Sequence, residues 1–355
     1  MLIDFYPLLI YYKYSLLKVN SQIIILKGNY IMQKNKAYIP LILCITLFIT
    51  TIAGAGFSIF LLTNNSFYSE SDISSIKDSA NKELINRIEE RLAAGETMTA
   101  ILRDIDPDKM VYVSNGTYVF ADIDHSLKKN TLENGTFTKS SSGEITYSEN
   151  NSVVSHKGID LSKYQGDVDF AKVKASGVEY AMLRCGYRSY GSGILTEDTS
   201  FNTYAADALK NNLKIGAYFF TQAINVEEAK EEADYVINML KPYNITYPVV
   251  IDVEEIFDDT YRQMHLSKSE LTDVIVAFCE RIKTAGYTPM IYSNLSSFLD
   301  NIDLTRVEDY EKWFAYYNDE PYFPYEISMW QYSDSGNVDG ISGNVDLDIS
   351  FKTWN

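Results

Sequence analysis

The sequence predicts an α/β protein whose residues 156–355 close into a barrel of eight short strands, with full helices between the early strands only. Three observations carry that prediction. From His156 onward, β-branched apolar runs alternate with helical patterns, as in βα units around a parallel sheet. Eight such runs occur: "KGIDLS", "YAMLRCGY", "KIGAYFF", "PVVIDVE", "TPMIYSN", "WFAYY", "ISMWQYS" and "VDLDIS". Helical patterns fit between the early runs, at 202–211, 226–240 and 268–285, whereas the last three runs lie too close together for full helices. About 200 residues is the low end for an eight-stranded β/α barrel, which suits one that has shed its late helices.

The segments before the barrel follow in order. Residues 37–62 form an uncharged apolar run long enough to span a bilayer, preceded by Lys34 and Lys36 and followed by an acidic, Ser/Asn-rich stretch. The positive-inside rule then puts residues 1–36 in the cytoplasm and everything from Thr63 outside. A cleaved signal peptide is the competing reading, with "AGA" at 53–55 as its small-residue site. The uncleaved transmembrane anchor is favoured, because "FSIFLL" continues the apolar run past that site. Met32 would open a well-formed basic segment, "MQKNK", so translation is expected to start there, with residues 1–31 lying upstream of the true start. In residues 71–94, Ile73, Ile76, Ala80, Leu84, Ile88 and Leu92 recur at helical steps. "MVYVSNGTYVFADI" from Met110 reads as a hairpin about Asn115-Gly116. Residues 63–135 are therefore expected to form a small α+β membrane-proximal module. Residues 136–155, rich in Ser and Asn, are expected to be a linker.

Composition narrows the function. The 355-residue chain is 46% hydrophobic and 14% aromatic, enough for one large domain and a smaller one. Its formal charge is −17, and residues 1–62 carry five lysines against Asp4 alone, so the excess acid falls after the apolar run. A domain this acidic repels nucleic acid, which excludes nucleic-acid partners. Cys44, Cys185 and Cys279 have no metal-ligand spacing, and His125, His156 and His265 are scattered, so neither a metal site nor another cofactor is expected.

The stretch "YPVVIDVEE" at 247–255 asks why an apolar strand should end in three acids. An unpaired carboxylate costs several kcal/mol in a low-dielectric interior, so these acids belong at an open strand end. Alternation sends Asp252 and Glu254 to one face, with Cα atoms about 7 Å apart. A carboxylate pair for acid/base work and a solvated strand end with an acidic loop fit this segment equally well. Two further acids tip the balance: Asp160 in "KGIDLS" and Asp346 in "NVDLD". In a closed barrel, C-terminal strand ends meet at one face, where such enzymes place their chemistry. Tyr187, Tyr218, Tyr292, Tyr316 and Trp330, with Gln331 beside the last, are candidates for a sugar-binding groove at that face. Four acids in one pocket repel one another, so at least one should hold a proton near neutral pH. Glu254 has the reach to deliver it.

In order, "GIDLSKYQG", "LRCGYR", "GAYFF", "YPVVIDVEE", "PMIYSN", "WFAYY" and "WQYSDSGNVDGISGNVDLD" make residues 156–355 resemble the glycoside hydrolase family 25 muramidases, the Chalaropsis-type lysozymes. The resemblance covers none of residues 1–155. It implies a modified TIM-like (β/α)5(β)3 barrel that cleaves the β-1,4 bond between N-acetylmuramic acid and N-acetylglucosamine in the glycan strands of peptidoglycan. By the same resemblance, Glu254 stands at the general acid and Asp252 at the residue orienting the substrate's 2-acetamido group. Asp160 and Asp346 stand at two flanking carboxylates. Many members carry His after the third-strand Tyr, where this chain has Phe219, which puts substrate contacts there in question. Two alternatives remain. One is a peptidoglycan-binding protein without turnover, which the presence of all four acids opposes. The other is a chitinase-like barrel, whose D-x-x-D-x-D-x-E pattern would need acids at Val250 and Tyr247.

Overall fold

The computed structural model describes residues 69–354 apart from Asn115, Phe257 and Asp258. The expected anchor at 37–62, the start at Met32 and the segment before it lie outside the described residues, as does Asn115 of the hairpin turn. Among the described residues no helix is long and apolar enough to cross a membrane. Ser69 opens α1 (Glu70–Ala93), its hydroxyl accepting the Asp72 N–H while the Asp72 carboxylate accepts the Ser69 N–H, which satisfies two donors the helix cannot. This is the periodic helix expected at 71–94, but none of its residues is buried. α2 (Met98–Ile105) follows, and the chain divides into two units between Ile101 and Leu102.

The second unit begins with the expected hairpin, β1 (Lys109–Ser114) and β2 (Thr117–Asp122), in register from Lys109–Asp122 to Ser114–Thr117. The expected linker is not one. Within 136–155 the chain forms a three-stranded sheet of β3 (Thr136–Lys139), β4 (Ile145–Glu149) and β5 (Ser152–Val153). Its polar residues occupy one face and the turns, where Asn150 and Asn151 supply the positive φ that a tight β-hairpin needs. The alternate residues Phe137, Ile145 and Tyr147 point into the protein core. Composition suggested linker because half of each short strand is solvent-facing.

The barrel follows: β6 (His156–Leu161), α3 (Phe170–Ala175), β7 (Tyr180–Arg188), β8 (Leu195–Glu197), α4 (Phe201–Lys210), β9 (Lys214–Phe220), α5 (Val226–Leu240), β10 (Val249–Asp252), α6 (Lys268–Thr284), β11 (Pro289–Asn294), α7 (Leu295–Asp300), β12 (Glu311–Ala315), β13 (Met329–Gly336) and β14 (Val345–Ser350). Strands β6, β7, β9, β10, β11, β12 and β13 are parallel in that order. β14 lies antiparallel between β13 and β6 and closes the ring, while β8 only folds back on β7. Five strand-to-helix crossovers and three further strands make this the (β/α)5(β)3 barrel.

Alternation sorts the side chains. Tyr180, Met182, Tyr218, Val250, Met290, Tyr292, Trp313 and Met329 fill the interior, and the opposite parity packs outward. Gly158 is required in β6, because a Cβ there would lie 2.0 Å from the Tyr180 ring. With Tyr180 across the base, stacked on Tyr247 at 4.3 Å, the barrel is plugged at one end and opens only at the other.

The outer surface is covered in two ways. Helices cover β7 to β11, and α7 reaches β12 through Phe298, 6.4 Å from Phe314, but they give way toward β13 and β14. Residues 102–155 take their place. Phe137 meets Trp330 edge-on at 5.4 Å and Tyr147 meets Phe351 at 5.5 Å. The Asp124 N–H donates to the Tyr325 hydroxyl at 2.9 Å, the Asn130 N–H to the Pro324 carbonyl at 3.0 Å, and the Arg103 guanidinium lies 3.3 Å over the Tyr322 ring. Residues 102–135 therefore belong with the barrel's outer wall and not with a separate membrane-proximal module.

Candidate active site

The strand β10 ends at Asp252, but its ladder runs one residue further through the Val253 N–H to the Tyr292 carbonyl at 3.0 Å. The Ser293 hydroxyl then holds the Val253 carbonyl at 2.7 Å. Alternation therefore persists past the strand end. Val253 is buried outward, while Asp252 and Glu254 both face the open end of the barrel. There they line a cleft of 640 Å³ together with Asp160, Asp334 and Asp346.

Asp160 and Asp346 face each other in register across β6 and β14 and share a side-chain hydrogen bond. Asp346 is not at a C-terminal strand end. It is the second residue of β14, and it reaches the cleft because that strand runs backwards. Gln331 ties the two halves of the site together. Its Nε2 donates to Asp160 at 2.7 Å, and its Oε1 accepts from the hydroxyls of Tyr292 at 2.8 Å and Tyr317 at 3.0 Å. One layer deeper, the fully buried Asp348 accepts the Trp313 indole N–H at 2.8 Å.

Burial is the main reason these carboxyls hold protons more readily than ordinary ones. It raises both Asp252 and Glu254, which share a hydrogen bond; the Glu254 charge pushes Asp252 up further, and the nearby Arg184 cation opposes both shifts. The pair therefore retains a proton more readily than ordinary carboxylates do. Burial also raises Asp160, helped by the charges of Asp346 and Asp348, and lifts Asp346 to about 6. Such a site can present a protonated acid beside a hydrogen-bonding carboxylate to a bond laid across it.

A family model described as "Glycosyl hydrolases family 25" matches residues 159–341, which contain the cleft carboxyls Asp160, Asp252 and Glu254. The chain belongs to this family. The autolytic lysozyme of Clostridium acetobutylicum is 30% identical over 193 residues, covering 54% of this chain and 55% of that protein. Lysozyme M1 of Streptomyces globisporus is 25% identical over 201 residues, covering 54% and 66%. The chain thus spans little more than half of the first relative's length. Among solved structures, the spore cortex lytic enzyme SleM of Clostridium perfringens is similar, with a TM-score of 0.50 at 25% identity over 57% of this chain and 68% of that one. The modular autolysin LytC of Streptococcus pneumoniae shares the fold with a TM-score of 0.50 at 21% identity, over 67% and 60%.

Within this family 25 barrel, Tyr187, Tyr218, Tyr292 and Gln331 line the cleft with the four acids, but Tyr316 and Trp330 do not. Strand parity is the reason. Trp313 and Tyr317 point inward, whereas Tyr316 stacks on Phe314 and Trp330 is wholly buried on the outer side against Phe137. Phe219 also faces outward, 6.0 Å from Tyr235, so the departure from the usual His does not touch the cleft. Phe220 lines it instead. The sequence reading passed over Trp313, Tyr317, Arg184, Tyr164, Asp334 and Asp348. Alternation could have found Asp348, two residues after Asp346, and Tyr317, four after Trp313.

Proposed function

We propose that this chain is a muramidase, hydrolysing the β-1,4 bond between N-acetylmuramic acid and N-acetylglucosamine in peptidoglycan. The observation that carries the reading is the hydrogen-bonded Asp252–Glu254 pair at the open end of β10, in one cleft with the Asp160–Asp346 pair. Glu254, the less buried of its pair, donates its proton to the leaving oxygen. Asp252 orients the 2-acetamido group, whose oxygen acts as the internal nucleophile, as in substrate-assisted glycosidases. Gln331, held by two tyrosine hydroxyls, keeps Asp160 facing the sugar. Family membership and the lysozyme relatives support this assignment.

Mass analysis of fragments released from purified cell walls tests it. N-acetylmuramic acid at the new reducing ends is the expected result. N-acetylglucosamine there would make the enzyme a glucosaminidase, and severed peptide stems on intact glycan would remove the glycosidase assignment.

The location proposed for this activity is the outer face of a bacterial membrane, with the run at 37–62 as a single-pass anchor. Lys34 and Lys36 just before the run and the acidic chain beyond it support that orientation. Protease added to intact cells should then release the barrel. A soluble mature protein starting near Gly56 would establish signal cleavage and secretion instead.

A further inference from the structure

The cleft is electrostatically lopsided. Asp334 and Asp346 stand in its wall on the β13–β14 side, and Asp160, Asp252 and Glu254 converge on its floor. On the β6–β7 side Arg184 lines the cleft, and Lys163, which does not itself line it, lies against two of its tyrosines. The Arg184 guanidinium lies 5.0 Å from the Tyr164 ring and 5.6 Å from the Tyr187 ring, and the Lys163 ammonium lies 5.5 Å and 5.4 Å from the same two rings. Tyr164, Arg184 and Tyr187 all line the cleft, and Tyr164 is 76% exposed. Arg188, the third cation nearby, is buried and spent on Glu231 and Glu232.

This arrangement is built. Asp198, wholly buried, accepts the Arg184 Nε–H at 2.8 Å and the backbone N–H of Lys163 at 3.1 Å, and so fixes both elements together. A capping box formed by Ser162 and Gln165 shapes the short turn that carries Lys163 and Tyr164. Arg184 is largely neutralised by Asp198, whereas among the described residues the Lys163 ammonium has no carboxylate partner. An exposed tyrosine beside an unpaired ammonium fits a sugar ring that bears a negative charge. The acidic remainder of the cleft repels that same charge.

We propose that Lys163, Tyr164, Arg184 and Tyr187 form a subsite for a sugar whose substituent carries a carboxylate, either the free lactyl group of muramic acid or an acidic residue of a peptide stem attached to it. The proposal deepens the muramidase reading and rests on it. In that substrate, charged and uncharged sugars alternate. A cationic wall at one position and acids elsewhere therefore penalise a slip of one sugar and set which bond lies over Glu254.

The test uses the full chain carrying Glu254→Gln, so that ligands bind without turnover. Four tetrasaccharides are compared by calorimetry: alternating muramic acid and glucosamine with free lactyl carboxylates, the same glycan with acidic dipeptide stems, the same glycan with its lactyl groups capped as neutral amides, and chitotetraose. At least one carboxylate-bearing ligand should bind about 5–20-fold tighter than the neutral amide, since an ion pair in a partly desolvated site is worth roughly 1–2 kcal/mol. Whichever of the two carboxylate-bearing ligands binds tighter identifies the source of the charge. Lys163→Gln should erase most of that preference, and Lys163→Arg should restore it. Equal affinity for charged and neutral ligands, or a preference that survives Lys163→Gln intact, would overturn the subsite. Failure of the unmutated chain to cut any of the four would instead count against the muramidase reading.

Discussion

The two sides of the barrel wall are covered by different means. From β7 to β11 the outward side chains meet helices supplied by the crossovers between those same strands, so each strand is covered by sequence that adjoins it. Around β13 the outward side chains, Trp330 and Tyr332 among them, meet residues 102–155, which precede the barrel in the chain. The first kind of cover is local and periodic. The second is long-range, with partners such as Arg103 and Tyr316 separated by 213 positions. The comparison teaches that losing helices from a β/α barrel does not leave its wall bare, since the exposed aromatic surface would otherwise be an aggregation site. It also divides the chemistry, because Asp252 and Glu254 come from the helix-covered side while Asp346 comes from β14.

Removing the borrowed cover has the largest expected effect. A fragment of residues 156–355 retains every candidate catalytic residue but exposes Trp330, Tyr332 and Phe351, and burial of each such large side chain stabilises by roughly 1.5–3 kcal/mol. Several such losses together match the whole stability of a typical domain. That fragment should fail to give a cooperative thermal transition, whereas a chain lacking only α1, which buries nothing, should melt as the full chain does. A soluble, cooperatively folded 156–355 would mean that the cover is decoration.

A smaller effect separates the two sources of acid. Glu254→Gln, on the helix-covered side, should lower turnover on cell walls by about 10²–10⁴ while keeping a cooperative melt at or above the parent temperature, because the proton donor is lost without disturbing packing and a buried charge is removed. Loss of folding along with activity would mean that the residue holds the barrel together.

The smallest effect lies at the β14 side and is read by pH. Burial lifts Asp346 to about 6, above an unfolded value near 3.8, so the folded chain holds this proton more tightly. Its destabilising contribution is absent below about pH 4, grows as the unfolded chain ionises first, and is complete above about pH 6. Asp346→Asn should therefore leave stability unchanged at pH 3.5 and raise it by up to about 2 kcal/mol at pH 7.5. Denaturant melts at the two pH values measure this, and a gain confined to acid pH would reverse the assignment.

The eight barrel strands, three of the five crossover helices and four of the five acids of the cleft were legible in the sequence, because periodicity and strand-end chemistry are properties of neighbouring residues. The sequence placed Asp252 and Glu254 on one face by alternation alone, and the structure extends that alternation past the last ladder residue of β10. Three features arise from contacts between distant segments. The reversed direction of β14 brings Asp346 to the mouth from the start of a strand. The inward parity of β12 and β13 selects Trp313, Tyr317 and Gln331 and turns Tyr316 and Trp330 away. The Ser/Asn-rich stretch at 136–155 becomes wall, because Phe137 and Tyr147 find Trp330 and Phe351, and cover supplied from so far along the chain leaves no periodic mark that either segment could show alone.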